Sequence, residues 1–90
     1  MDKICKHLFV SGRVQGVWYR GFVKKNAQAN NITGWAKNLG NGQVEVLLCG
    51  TAQDIDIVIV AMYDGPPLAR VDHIDEELTD WQEIEGFTTS

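Results

Sequence analysis

The sequence predicts an α+β sandwich, a four-stranded antiparallel sheet carrying two helices on one face in the order β-α-β-β-α-β. Three observations point to it. Segments near residue 8 and after residue 43 alternate apolar and polar side chains, as half-buried strands do. Residues 19–30 place apolar side chains at helical spacing. Asn41-Gly42 joins two short strand-like runs, and Asn-Gly is a strong hairpin signal. A length of 90 residues fits one domain, residues 1–90. The hydrophobic share of 44% and charged share of 22% are globular rather than disordered.

The elements follow in chain order. From Lys3 to Val10, Ile4, Leu8 and Val10 share one parity and Cys5, His7 and Phe9 the other, so one strand has one core face. Ser11 to Val17 holds Gly12 and Gly16 and reads as a loop. A helix from Tyr19 to Asn30 would bury Phe22, Val23 and Ala27, turn out Lys24, Lys25 and Gln28, and stop at Asn30-Asn31 in a left-handed residue. Thr33–Asn38 and Gln43–Cys49 are the hairpin strands; Val44, Val46 and Leu48 face one side, Glu45, Leu47 and Cys49 the other.

After Gly50, Thr51-Ala52-Gln53-Asp54 fits a loose capping box, and Ile55, Val58, Ile59 and Met62 follow at helical spacing up to Gly65-Pro66-Pro67. Five of the eight residues from Ile55 to Met62 are β-branched, which favours strand. The residues alone leave the two readings open, with length and capping on the side of helix. Leu68–Ile74 reads as a fourth strand, the acidic stretch 75–85 as exposed with Trp81 as its anchor, and Gly86–Thr89 as a short final strand at most. The order is that of ferredoxin-like sandwiches, which host too many activities to name one.

Charge excludes some classes. Residues 1–40 carry seven Lys/Arg and one acid, residues 41–90 one Arg and eleven acids, for a net −4. An acidic chain is a poor generic nucleic-acid binder, and the second hairpin strand offers no aromatic on which bases could stack, which leaves Phe9 alone as a platform. The near-apolar run Ile55–Met62 contains Asp56 and is too short to span a bilayer. Leu8-Phe9-Val10 is followed at once by Ser11-Gly12-Arg13, unlike a signal-peptide core, so the cytoplasm is the expected compartment. No oligomer signal stands out, and a monomer is expected. His7 and His73 are isolated, without metal-ligand spacing around them, so neither metal nor cofactor is expected.

Chemistry concentrates where the first strand hands over to the first helix. Glycines let a loop curl its N–H groups around an oxyanion, and the helix start supplies unpaired N–H groups and a favourable dipole. Arg20 at the helix head opposes that dipole unless an anion is present, where its guanidinium adds a bidentate contact. The alternative is a surface arginine on an exposed loop. Asn38, beside the hairpin turn, reads by itself as turn chemistry.

The run Gly12-Arg13-Val14-Gln15-Gly16-Val17-Trp18-Tyr19-Arg20 resembles the acylphosphatase signature G-x-V-Q-G-V-x-F-R. A second block, Gly34-Trp35-Ala36-Lys37-Asn38-Leu39-Gly40-Asn41-Gly42-Gln43-Val44, resembles that family's G-[YW]-[AV]-x-N-x-x-D-G-x-V at the usual separation. The resemblance extends over nearly the whole chain and makes Thr51–Tyr63 the second helix. It implies hydrolysis of acyl phosphates to carboxylate and inorganic phosphate, with phosphate as competitive inhibitor. Gln15, Gly16, Val17, Trp18, Tyr19 and Arg20 would form the phosphate-binding loop, Arg20 would complete the cradle and Asn38 would position the attacking water. Tyr19 for Phe and Asn41 for Asp are departures, as is the degraded ending Phe87-Thr88-Thr89-Ser90. A non-catalytic acyl or carbamoyl phosphate-binding module, as at the start of a large hydrogenase-maturation protein, is the alternative.

In such a sheet the first and third strands are antiparallel neighbours. Cys5 and Cys49 then lie at matching ends, on the parity away from the helices, so a disulfide between them is permitted.

Overall fold

The computed structural model describes residues 2–90. The elements are β1 (Lys3–Arg13), α1 (Tyr19–Ala29), β2 (Thr33–Asn38), β3 (Val44–Thr51), α2 (Ala52–Asp64), β4 (Arg70–Thr79) and β5 (Phe87–Thr89). The sheet order is β4-β1-β3-β2-β5. The four long strands pair antiparallel, as expected for the ferredoxin-like sandwich. The ending of the chain does form a fifth strand, and it pairs parallel to β2, so the sheet is mixed.

The principal core lies between sheet and helices. Leu8, Val10, Val44, Val46 and Leu48 meet Val23 and Ala27 of α1 and Ile55, Val58 and Met62 of α2. The segment 52–64 is therefore helical despite its β-branched residues. Thr51 Oγ1 accepts from the Asp54 N–H at 3.2 Å, and four apolar side chains on one stripe are buried. Burial of that stripe outweighs the small propensity cost of its Val and Ile. α1 ends where Asn31 takes φ 60°.

Several boundaries differ from the sequence expectation. β1 runs on to Arg13 rather than stopping at Val10, and β4 reaches Thr79 through acidic residues. Their register shifts between Ser11 and Gly12, which leaves Asp72 as an extra residue on β4. The bulge switches the core-facing parity of β4 from Ala69 and Val71 to Ile74, which hid the strand's length. Gly12 sits at φ 130°, and a Cβ there would stand 2.1 Å from the Arg70 carbonyl oxygen, so the crossing admits only glycine. In α1 the fully buried aromatic is Tyr19, not Phe22. Its hydroxyl donates to the Met62 carbonyl oxygen at 2.9 Å and ties the head of α1 to the last turn of α2. Burial pushes the phenol pKa well up, aided by Tyr63, so it remains a donor.

The open face of the sheet carries a second apolar cluster. Cys5 and Cys49 are opposite each other in the β1–β3 register and are joined as a disulfide. Leu47, Trp35 and Ile84 pack around them, and the Gln82 N–H donates to Cys5 Sγ at 3.3 Å. The expected anchor, Trp81, is instead partly exposed, with the Lys3 ammonium over its ring. Ile84 anchors the segment. Farther along this face, His7 packs against Phe9 and Trp35, so its aromatic surface exceeds Phe9 alone. Glu45 lies among these rings, 2.6 Å from His7 Nε2 and 3.3 Å from Lys37 Nζ. Burial alone would raise its pKa, but the hydrogen bonds and charges of His7 and Lys37 bring it below the usual value.

The crosslink spans a sequence separation of 44, for which the chain-entropy relation gives about 3–4 kcal/mol. Cys49→Ser is therefore expected to lower the urea-unfolding free energy by that amount, with activity retained because the disulfide lies on the face away from the helices. A loss below about 1 kcal/mol would show that the bridge constrains nothing the unfolded chain would otherwise explore.

Candidate active site

The loop between β1 and α1 has the backbone expected of an anion cradle. Gly16 is at φ 74° and Trp18, the N-cap of α1, at φ 65°. Gly16 and Trp18 thus flank Val17 in the left-handed region that anion-binding nests use. Trp18 gives no side-chain cap, and no acidic residue stands in the first turn of α1. The first helical bond runs from the Phe22 N–H to the Trp18 carbonyl oxygen at 3.1 Å. The N–H groups of Tyr19, Arg20 and Gly21 precede it and have no partner within the helix.

The same residues line a cavity of about 260 Å³, together with Gly16, Trp18, Val14 and Thr89. Gln15 and Val17 are not among its lining residues. The Gln15 side chain has a different task, which sequence reasoning missed. Its Nε2 donates to the carbonyl oxygens of Leu39 at 2.8 Å and Gln43 at 2.9 Å. It thereby fastens the β1–α1 loop to the hairpin turn directly after Asn38. Asn41 holds that turn by accepting from the Gln43 N–H at 3.0 Å through Oδ1, the usual Asx device.

Asn38 ends β2, opposite Val44, and is exposed. It does not line the cavity; its connection to Arg20 runs through the end of the chain. Arg20 Nη1 donates to the Ser90 main-chain oxygen at 2.6 Å, and the Asn38 N–H donates to the same oxygen at 3.2 Å. The two residues, far apart in sequence, thus converge on one acceptor. Lys37 is engaged by Glu45 and lies over the Trp35 ring on the open face.

Residues 6–89 match the family model described as Acylphosphatase. The chain belongs to the acylphosphatase family. The match spans both blocks that meet here, the loop ending in Arg20 and the strand ending in Asn38. A Coxiella burnetii protein named acylphosphatase is 41% identical over 83 residues, 92% of this chain and 82% of that one. The crystal structure of acylphosphatase from Bacillus subtilis superposes with a TM-score of 0.94 at 30% identity, covering 97% of this chain and 98% of that one. Full-length HypF, solved in a phosphate- and nucleotide-bound form, contains a region of the same shape, with a TM-score of 0.88 and 25% identity. That alignment covers 99% of this chain but 12% of HypF, so the acylphosphatase fold also occurs inside a much larger protein.

Proposed function

We propose that this chain hydrolyses the carboxyl–phosphate bond of acyl phosphates without a metal ion. The observation that carries the reading is Arg20 and the head of α1 at one cavity, with Asn38 tied to Arg20 through the Ser90 oxygen that both hydrogen-bond. A phosphoryl group in that cavity would place its oxygens against N–H groups of the loop residues that line it, Gly16 and Trp18 to Arg20, with the Arg20 guanidinium as a second, forked donor. Asn38 would hold a water in line with the departing oxygen. The water oxygen bonds to phosphorus, the P–O bond to the acyl group breaks, and its electron pair leaves on the carboxylate. The water's proton ends on phosphate oxygen or solvent.

This division of labour suits the chemistry. Phosphoryl transfer depends on alignment and charge stabilisation rather than covalent help. A carboxylate is a weak base and departs without a general acid. Arg20 and the N–H groups provide the positive field that a metal provides in other phosphoryl-transfer sites. We place the enzyme in the cytoplasm as a monomer, where a net charge of −4 opposes self-association.

Acetyl phosphate and benzoyl phosphate turnover in EDTA tests the reading. The rate is expected to match that without chelator, and inorganic phosphate is expected to compete. Loss of activity in EDTA, restored by a divalent ion, would overturn metal independence. The likeness to part of HypF favours a second reading, an acyl or carbamoyl phosphate-binding module without turnover. Phosphate binding without hydrolysis of either substrate would select it.

A further inference from the structure

We propose that the Trp18 side chain is the acyl-group platform of the site, and that it biases the enzyme toward acyl phosphates with aromatic or bulky apolar acyl groups. The inference rests on the acyl phosphate reading above and adds a substrate class to it.

Trp18 is 61% exposed although it is among the largest apolar side chains in the protein. It is not loose. A Cβ added at Gly21 would lie 2.3 Å from Trp18 Nε1 and 2.7 Å from Cε2, so the indole lies directly against the bare backbone of the first turn of α1. The Phe22 ring meets it edge-on, with centroids 6.4 Å apart. Gly21 and Phe22 thus hold an exposed ring in one place. That place is the wall of the same cavity lined by Arg20 and the helix head. The four oxygens around phosphorus, three phosphoryl and one bridging, each about the size of a water, occupy on the order of 120 Å³. The cavity holds about 260 Å³, which leaves room beside the anion for part of an acyl group.

An apolar ring fixed in water at the rim of an anion site gains when a ligand covers it, and little of its freedom remains to be lost on binding. A flat acyl group attached to the held phosphoryl can offset-stack on the indole, whereas acetyl is too small to cover it. The exposed position of Trp18 therefore discriminates by acyl size, while the main-chain N–H of the same residue serves the phosphoryl end.

The test separates binding from turnover by using non-hydrolysable analogues in which CH₂ replaces the bridging oxygen: phenacylphosphonate and acetonylphosphonate. Calorimetry is expected to show wild type binding the phenacyl compound about three- to tenfold more tightly. In Trp18→Ala the ratio of the two affinities should fall to within about twofold of unity, whatever the change common to both ligands. Trp18→Phe should restore part of it. Gly21→Ala keeps Trp18 but displaces the indole, and should also lower the ratio. A wild-type ratio that survives in folded Trp18→Ala and in Gly21→Ala would overturn the platform. Failure of wild type to bind either phosphonate would overturn the acyl phosphate reading itself, and the platform with it.

Discussion

Arg20→Ala is expected to lower kcat/KM for acyl phosphates by roughly 10³-fold, within the range for losing a charged donor from a phosphoryl-transfer site. Arg20 should touch the phosphoryl group both before and during bond breaking, so its loss should act on binding and turnover together. The inhibition constant for inorganic phosphate should therefore rise at least about tenfold alongside the fall in kcat. The guanidinium is held to the Ser90 main-chain oxygen at 2.6 Å, which fixes it beside the cavity that Arg20 lines. Arg20→Lys keeps the charge but not the planar fork and should recover only part of the loss. Unchanged phosphate affinity in a folded Arg20→Ala protein would remove Arg20 from the cradle.

Asn38→Ala should separate the two effects. Its kcat should fall by a factor of order 10² or more, while the inhibition constant for phosphate stays within a few-fold of wild type. The reason is that a water-orienting amide acts on attack and hardly on the bound anion. The substitution leaves the Asn38 N–H bond to Ser90 and the pairing with Val44 in place, because both are main-chain features. A thermal melt run beside the kinetics checks that the hairpin is intact. If folded Asn38→Ala loses phosphate affinity as severely as Arg20→Ala does, Asn38 belongs to the anion cradle and the water is held elsewhere.

What the sequence made legible is what lies close together along it. The glycines, Arg20 and the turn at Asn41-Gly42 are contiguous signals, and alternation placed Cys5 opposite Cys49 once the strand order was expected. Signals that depend on distant residues were not legible. The bulge at Asp72 comes from the crossing of β1 and β4 near Gly12, so alternation failed locally and β4 read as shorter than it is. Nothing in Gln15 itself tells that its amide would reach the Leu39 and Gln43 carbonyls. The junction of Arg20 with Asn38 passes through Ser90, behind a final strand whose pattern is too short to be read by periodicity. The extra hydroxyl of Tyr19 likewise found its partner 43 residues away.

The fifth strand also bears on the company the protein keeps at high concentration. Without β5, the six residues of β2 would present a row of open N–H and C=O groups, a template on which a strand from another molecule could add. β5 occupies that row from Gly34 to Ala36, pinned by the buried ring of Phe87, and is itself only three residues long. The opposite border, β4, is ten residues long but displays Asp72, Asp75, Glu76 and Glu77, three of them in contact with Arg70, His73 and Lys6, and charged side chains blunt an edge against strand addition. One border is protected by brevity and the other by charge. An incoming strand therefore meets a short, already paired border at one end of the sheet and a charged one at the other.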